Sequence, residues 1–280
     1  MKFKYLGTAA SEGFPAVFCN CAYCKEARKR GGKNIRTRAQ VMFNDDMLID
    51  LPADTYHHAL VNNLELDKVK FLLITHHHQD HFYPEELGMH ASWFAKDLRE
   101  PVLNIVLTKD AYDFYMEKEG NVIAPNIACT LNFIVAEAFK DIVLGDYVIT
   151  PLPARHMWGK AECFMYMVKH GGKTVLYAQD TGYFFESVFE YFEKNPVKFD
   201  FVSYDCTNID IPAGDEDSHM DFVQINKVRA RMKGLGLIDD KTVEYVQHFS
   251  HNANPLHEEL VENAKQYDLL VAYDGLELEI

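Results

Sequence analysis

The chain has 280 residues, 48% of them hydrophobic, so it can bury one large core, and a single α/β domain over 1–280 is expected. Its formal net charge of −14, from 28 basic and 42 acidic side chains, argues against general nucleic-acid binding, which rests on neutralising phosphates. No apolar run reaches the roughly eighteen residues of a membrane span, and Met1-Lys-Phe-Lys-Tyr-Leu6 lacks the apolar stretch of a signal peptide, so a cytoplasmic protein with no membrane contact is expected, its six cysteines serving as thiols or metal ligands.

In chain order, Lys2 to Leu6 alternates as a strand and ends at the small residues Gly7-Thr8-Ala9-Ala10-Ser11. Cys19-Asn-Cys21-Ala-Tyr-Cys24 follows. Three thiols so close are hard to place by packing alone, and a tetrahedral structural zinc would need a fourth ligand from elsewhere; a redox pair or three separately buried thiols are the alternatives. Lys25 to Arg38 is a basic island in an acidic protein. It reads either as a solvated helix broken at Gly31-Gly32 or as a phosphate-attracting rim, and 19–38 together form a zinc-knuckle loop. A hairpin is expected around Asn44-Asp45-Asp46 and a helix from Ala53 to Asn63, with His57 and His58 on its surface.

Val69 to Ile74 is short, aliphatic and β-branched, a buried strand, and it runs into Thr75-His76-His77-His78-Gln79-Asp80-His81. In extended backbone His76 and His78 point the same way, while Asp80 and His81 can turn to a second point, which suits two metals rather than one. His77 and Gln79 alternate toward solvent. Pro84 to Leu98 reads as a helix with His90 structural within it, Val102 to Leu107 as a strand, and Lys109 to Lys118 as a helix. Several β-like runs between Cys129 and Pro151 lead to His156, just past a strand. Glu162 to Val168 and Thr174 to Ala178 form a hairpin about Gly171-Gly172, whose second strand ends at Asp180, either a functional loop carboxylate or a cap for the helix Phe184 to Glu193. Phe199 to Tyr204 is a buried strand. Ser218 is the expected cap of the helix Phe222 to Met232; Val243 to Gln247 is a strand ending at His248, and a helix from Glu258 to Tyr267 precedes the C-terminal strand. Cys129, Cys163 and Cys206 read as packed thiols, His170 and His257 as surface residues.

Many strands thus end in a metal-competent residue, as in a sandwich of two sheets with a shared rim. With this order of His76-x-His78-x-Asp80-His81, His156, Asp180 and His248, the chain resembles the metallo-β-lactamase superfamily, which implies a four-layer αββα (α+β) fold. The cysteine triplet, Gly7-Thr8, His248-Phe-Ser-His251 and Tyr273-Asp-Gly275 further resemble the phosphoribosyl cyclic phosphodiesterases of bacterial phosphonate catabolism. The resemblance implies one ion on His76, His78 and His156, a second on Asp80, His81 and His248, and Asp180 bridging both. It also implies a structural zinc on Cys19, Cys21, Cys24 and His251, a proton-donating His219 and a homodimer. Three features depart from the family pattern and are expected to line the pocket: the acidic loop before His219, Arg155, and Phe82-Tyr83-Pro84.

Such a pair of ions, Zn or Mn with Fe not excluded, could activate a shared water for attack on phosphorus, Asp80 orienting it and His219 protonating the leaving group. The expected function is therefore hydrolysis of a small phosphorylated substrate, a cyclic or nucleotide-like phosphodiester. A tRNA 3′-processing-type nuclease and a lactone or thioester hydrolase are the alternatives. Oxygen reduction would need a flavin domain for which the length leaves no room, and a non-catalytic module would not need all seven ligands.

Overall fold

The structure, a computed structural model, describes residues 1–91, 93–157 and 161–280. In chain order its main elements are β1 Lys2–Gly7, α1 Ala22–Arg30, β2 Gln40–Phe43, β3 Met47–Ile49, α2 Thr55–Asn62, β4 Phe71–Leu73, β5 Leu103–Leu107, α3 Lys109–Tyr115, α4 Pro125–Ala128 and β6 Leu131–Val135. The second half contributes β7 Ile142–Leu144, β8 Tyr147–Pro153, β9 Phe164–His170, β10 Lys173–Ala178, α5 Glu186–Lys194, β11 Phe201–Asp205, α6 Phe222–Gly234, β12 Val243–Gln247, α7 His257–Lys265, β13 Leu270–Val271 and β14 Glu277–Glu279.

The strands form two seven-stranded sheets, ordered β14-β1-β2-β3-β4-β5-β6 and β13-β12-β11-β10-β9-β8-β7. In each, hairpins build an antiparallel half and helical crossovers build a parallel one, from β3 to β6 and from β10 to β13. Strand periodicity decides which side chains meet. In β9, Phe164, Tyr166 and Val168 enter the layer between the sheets, while Met165 and Met167 face the outer layer. Likewise Phe71 and Leu73 of β4 point between the sheets, and Leu72 points outward. Outside one sheet α5, α6 and α7 bury Phe189, Phe192, Ile225, Val228 and Leu260, each such side chain contributing roughly 2 kcal/mol; outside the other α3 buries Ala111 and Tyr115. This is the four-layer αββα sandwich implied by the resemblance.

Several local expectations are corrected. Instead of a helix to Leu98, a short 3₁₀ segment Pro84–Met89 follows the histidine loop. The cap of α6 is Asp221, whose carboxylate accepts from Gln224 N at 2.6 Å, and Ser218 lies upstream in the loop. Asp180 caps nothing, since α5 begins at Glu186. His58 is buried rather than on the surface, between Gln40 Oε1 at 2.6 Å and Thr37 Oγ1 at 2.7 Å. His257 is buried too, with Nδ1 3.1 Å from Arg36, and His77 stacks on Phe114 rather than facing water. His170 is half-buried against Tyr147, and Cys129 is exposed rather than packed.

The basic island is not a uniformly solvated helix. Arg36 is fully buried, donating to Thr8 Oγ1 at 2.8 Å and the Ala272 carbonyl at 2.7 Å, while Arg30 pairs with Glu26 and Glu258. Among the described residues no helix is long and apolar enough to cross a membrane.

Candidate metal centre

At one rim of the sandwich the carboxyl ends of strands from both sheets deliver histidines and aspartates to a single place. The β4 end supplies His76, His78, Asp80 and His81; the β8 end His156, the β10 end Asp180 and the β12 end His248. Three residues here hold left-handed backbone: Asp50 at φ 68°, Asp180 at φ 45° and His248 at φ 64°. For non-glycine residues this costs on the order of 1 kcal/mol each, and such strain gathers where side-chain direction matters more than backbone ease.

The donor atoms of the seven expected ligands form two groups sharing Asp180, and a third grouping, Asp180 with Asp205, His219 and His248, overlaps them. In the first, His78 Nδ1 lies 2.9 Å from His76 Nε2 and 3.1 Å from His156 Nε2, with Asp180 Oδ2 at 3.4 and 3.6 Å from the latter two. In the second, His81 Nε2 is 2.8 Å from Asp180 Oδ2 and 3.1 Å from Asp80, and His248 Nδ1 is 3.0 Å from Asp180 Oδ1. His81 Nε2, Asp180 Oδ1 and His248 Nε2 are buried without a properly angled hydrogen bond. Ring nitrogens and carboxylate oxygens that crowd together without pairing are directed at a common third body, and nitrogen–oxygen donors of this kind suit a divalent cation. The donor set therefore fits two ions. The structure brings all seven residues together.

Behind these donors stand residues that sequence reasoning did not single out. Asp50, fully buried at the end of β3, reaches His81 Nδ1 at 2.8 Å and accepts from Thr75 N and Oγ1. Asp205, fully buried at the end of β11, accepts from the backbone N–H groups of Thr207 and Met220 and lies 3.0 Å from His219 Nδ1. Thr207 Oγ1 in turn lies 2.8 Å from His248 Nδ1. Such outer carboxylates and hydroxyls fix ring orientation. Their signal was available: each acid ends a buried strand, as Asp180 does.

The local field follows. Burial holds the His76 imidazole well below its usual range. Burial would do the same to His81, but Asp80, Asp180 and Asp50 overcome it and raise it well above. Asp180 also pays a desolvation penalty, yet His248, His156 and His81 hold it well below the carboxylate range. Burial likewise opposes charge on Asp205, while His219 pulls it down to about 2; desolvation of His219 is outweighed by Asp205, then Asp180, lifting it to about 9. The carboxylates around His81 thus create a field that favours positive charge at this point.

The centre opens into a cleft of about 500 Å³ lined by residues including His78, Asp80, His156, Asp180, His219 and His248. Of the three departures expected in the pocket, the acidic loop alone contributes to this lining, through Ser218 at its end. Phe82 is buried in the outer core, and Arg155 turns away to Glu216 and Phe185. Gly182 explains how the loop is held: a Cβ there would lie 1.7 Å from the Asp217 carbonyl, so only glycine lets residues 215–219 close over the β10 end.

Next to this centre, Cys19, Cys21, Cys24 and His251 bring their donor atoms within 4.8 Å of one another. Cys24 Sγ is 3.9 Å from His251 Nδ1, and sulfurs accept backbone N–H groups from Cys21, Cys24 and Ala16 at 3.4 Å. These four residues could hold a further ion.

Residues 47–238 match the family described as the beta-lactamase superfamily domain. Among solved structures, a diphosphatase of the PhnP family aligns with a TM-score of 0.73 and 20% identity, over 100% of this chain and 97% of that one. Zn(2+)-bound PqqB from Methylobacterium extorquens aligns at 0.76 and 17%, over 100% of both, and human short-form tRNase Z at 0.66 and 15%, over 100% and 99%. At these identities the likeness is one of fold. No curated protein matches the chain.

Proposed function

The chain belongs to the beta-lactamase superfamily, and from that premise we propose that it is a metal-dependent hydrolase acting on small phosphodiesters. The supporting observation is the pair of donor groups that share Asp180 at the floor of an open cleft. His76, His78 and His156 would hold one ion, Asp80, His81 and His248 the other, and Asp180 both. Bound there, two divalent ions would supply Lewis-acid stabilisation of a phosphoryl oxygen and activation of water.

The chain's own groups carry the rest. Asp80, at the cleft floor, would orient the attacking water. His219 also lines the cleft, and with Nδ1 turned to Asp205 it would keep Nε2 for the leaving oxygen as a general acid. Asp205 would fix that tautomer and ring orientation. A structural zinc on Cys19, Cys21, Cys24 and His251 would tie the β1–α1 loop to the segment after β12.

The test is turnover by Zn- and Mn-loaded protein on cyclic and linear phosphodiesters, lactones, a thioester and a cephalosporin. Hydrolysis of phosphodiesters is expected; activity on carbonyl compounds alone would overturn the reading. For His219, replacement by Ala should slow an alkyl diester by about 10²-fold or more yet spare a nitrophenyl diester, whose leaving group needs no proton. Equal losses on both would remove it from the acid role.

A further inference from the structure

With its ions bound, the floor of the cleft would favour anions, but its walls would not. The described residues lining it include Ser11, Glu12, Gln79, Thr207, Ser218 and Ser250, and among them there is no Lys or Arg. Among the described residues, two nearby cations are committed elsewhere. Arg38 donates to the Ser11 carbonyl at 2.8 Å and pairs with Asp54 at 3.1 Å; Arg155 pairs with Glu216, donates to the Tyr183 carbonyl and stacks on Phe185. The wall is therefore hydroxyls, one amide and one carboxylate.

Glu12 is half-buried and pinned by one of its oxygens. Oε1 accepts from Ser250 Oγ at 2.6 Å and from His251 N at 3.1 Å, while Oε2 meets the exposed Ser11 hydroxyl at 3.4 Å. The loop that carries it is fixed by bridges from Ala9 to Phe249 and to Arg38. A carboxylate held in this way is a preorganised acceptor whose second oxygen is engaged only by an exposed hydroxyl that a ligand hydroxyl could replace.

Resting on the phosphodiesterase reading above, we infer that Glu12 sets specificity. The substrate carries one phosphodiester and no second phosphate, and its organic part is a neutral sugar or polyol that donates a hydroxyl to Glu12. A second phosphate would face this carboxylate with no Lys or Arg among the described lining residues to offset the repulsion, and so would be disfavoured at that wall. In this the chain parts from the phosphoribosyl substrate that its sequence resemblance implies, which bears a second phosphate.

The experiment compares ribose 1,2-cyclic phosphate with its 5-phosphorylated form, using Mn-loaded wild type and Glu12→Gln. Glutamine keeps an oxygen for Ser250 and His251 but removes the charge. Wild type should favour the unphosphorylated substrate in kcat/KM by at least about tenfold, and Glu12→Gln should shrink that ratio by about tenfold, chiefly through KM, with metal content and melting temperature unchanged. Preference of wild type for the 5-phosphate, or an unchanged ratio in Glu12→Gln, would overturn this inference alone. Turnover of neither compound, with lactones or thioesters hydrolysed, would overturn the phosphodiesterase reading and this inference with it.

Discussion

The strand-end centre and the cysteine cluster come within three residues of each other in the chain, at His248 and His251, yet they are assembled in opposite ways. The first draws its donors from four strand ends in two sheets and is backed by the buried carboxylates of Asp50 and Asp205. The second takes three of its four donors from one loop and the start of α1, its sulfurs held by neighbouring backbone N–H groups and its fourth donor alone arriving from afar. A centre made of strand ends is only as good as the packing of both sheets. A local knuckle needs little beyond its own turn.

The sharpest way to break this contrast is at Asp180, the single residue common to both donor groups of the rim. Asp180→Asn should lower kcat by about 10³-fold or more and reduce the rim's metal content by elemental analysis, leaving the cysteine-bound equivalent in place. Wild-type turnover in this variant would sink the shared-carboxylate reading. Cys24→Ser tests the other side. Cys24 is fully buried, so its loss should destabilise the fold by about 3 kcal/mol in denaturant titration and release one zinc, while turnover per folded molecule stays within about threefold. Loss of activity without loss of stability would show that the two centres are not separable.

His58 supplies a histidine outside both centres. Buried between Gln40 and Thr37, it is pushed down to about 4, chiefly by desolvation, whereas the equally buried His81 is raised by its three carboxylates. A folded-state value below the unfolded one means that the unfolded chain binds the extra proton between about pH 6.5 and 4, so stability must fall as pH drops through that window. The contribution is on the order of 3 kcal/mol. Equilibrium unfolding across that range should show it, and the slope should flatten in His58→Gln. The smallest expected effect is at the outer carboxylate Asp50. Asp50→Asn should weaken rim metal affinity by about 10- to 100-fold in chelator competition without affecting the cysteine cluster.

How much was legible varies with the range of the interaction. The run from Phe71 to His81 announces itself, because a buried strand ending in four histidines and an aspartate has few structural uses. Asp180 and His248 were legible as strand ends. Asp50 and Asp205 obey the same rule but passed unnoticed, since a lone acid at a strand end gains meaning only when its partner ring is known. The burial of His58 and His257 was invisible for a related reason: helical periodicity says which face is apolar, not that a polar partner such as Gln40 or Arg36 waits beneath it. The helix expected after Pro84 rested on local propensity, which the structure overrides after a single 3₁₀ segment.

By itself, the amino-acid sequence determined the period of each strand, the order of the metal-competent residues and the clustering of three cysteines, because these are properties of neighbours along the chain. Tertiary structure alone decided that Asp180 lies between two donor groups, that Arg36 and Arg38 are spent inside the fold and at its edge rather than in the cleft, and that Glu12 lines the same cleft as the candidate metal ligands. Those are relations between segments tens to hundreds of residues apart. They exist only once two sheets have packed, since the direction of a side chain across a shared rim is set by the backbone of another strand and not by its own sequence.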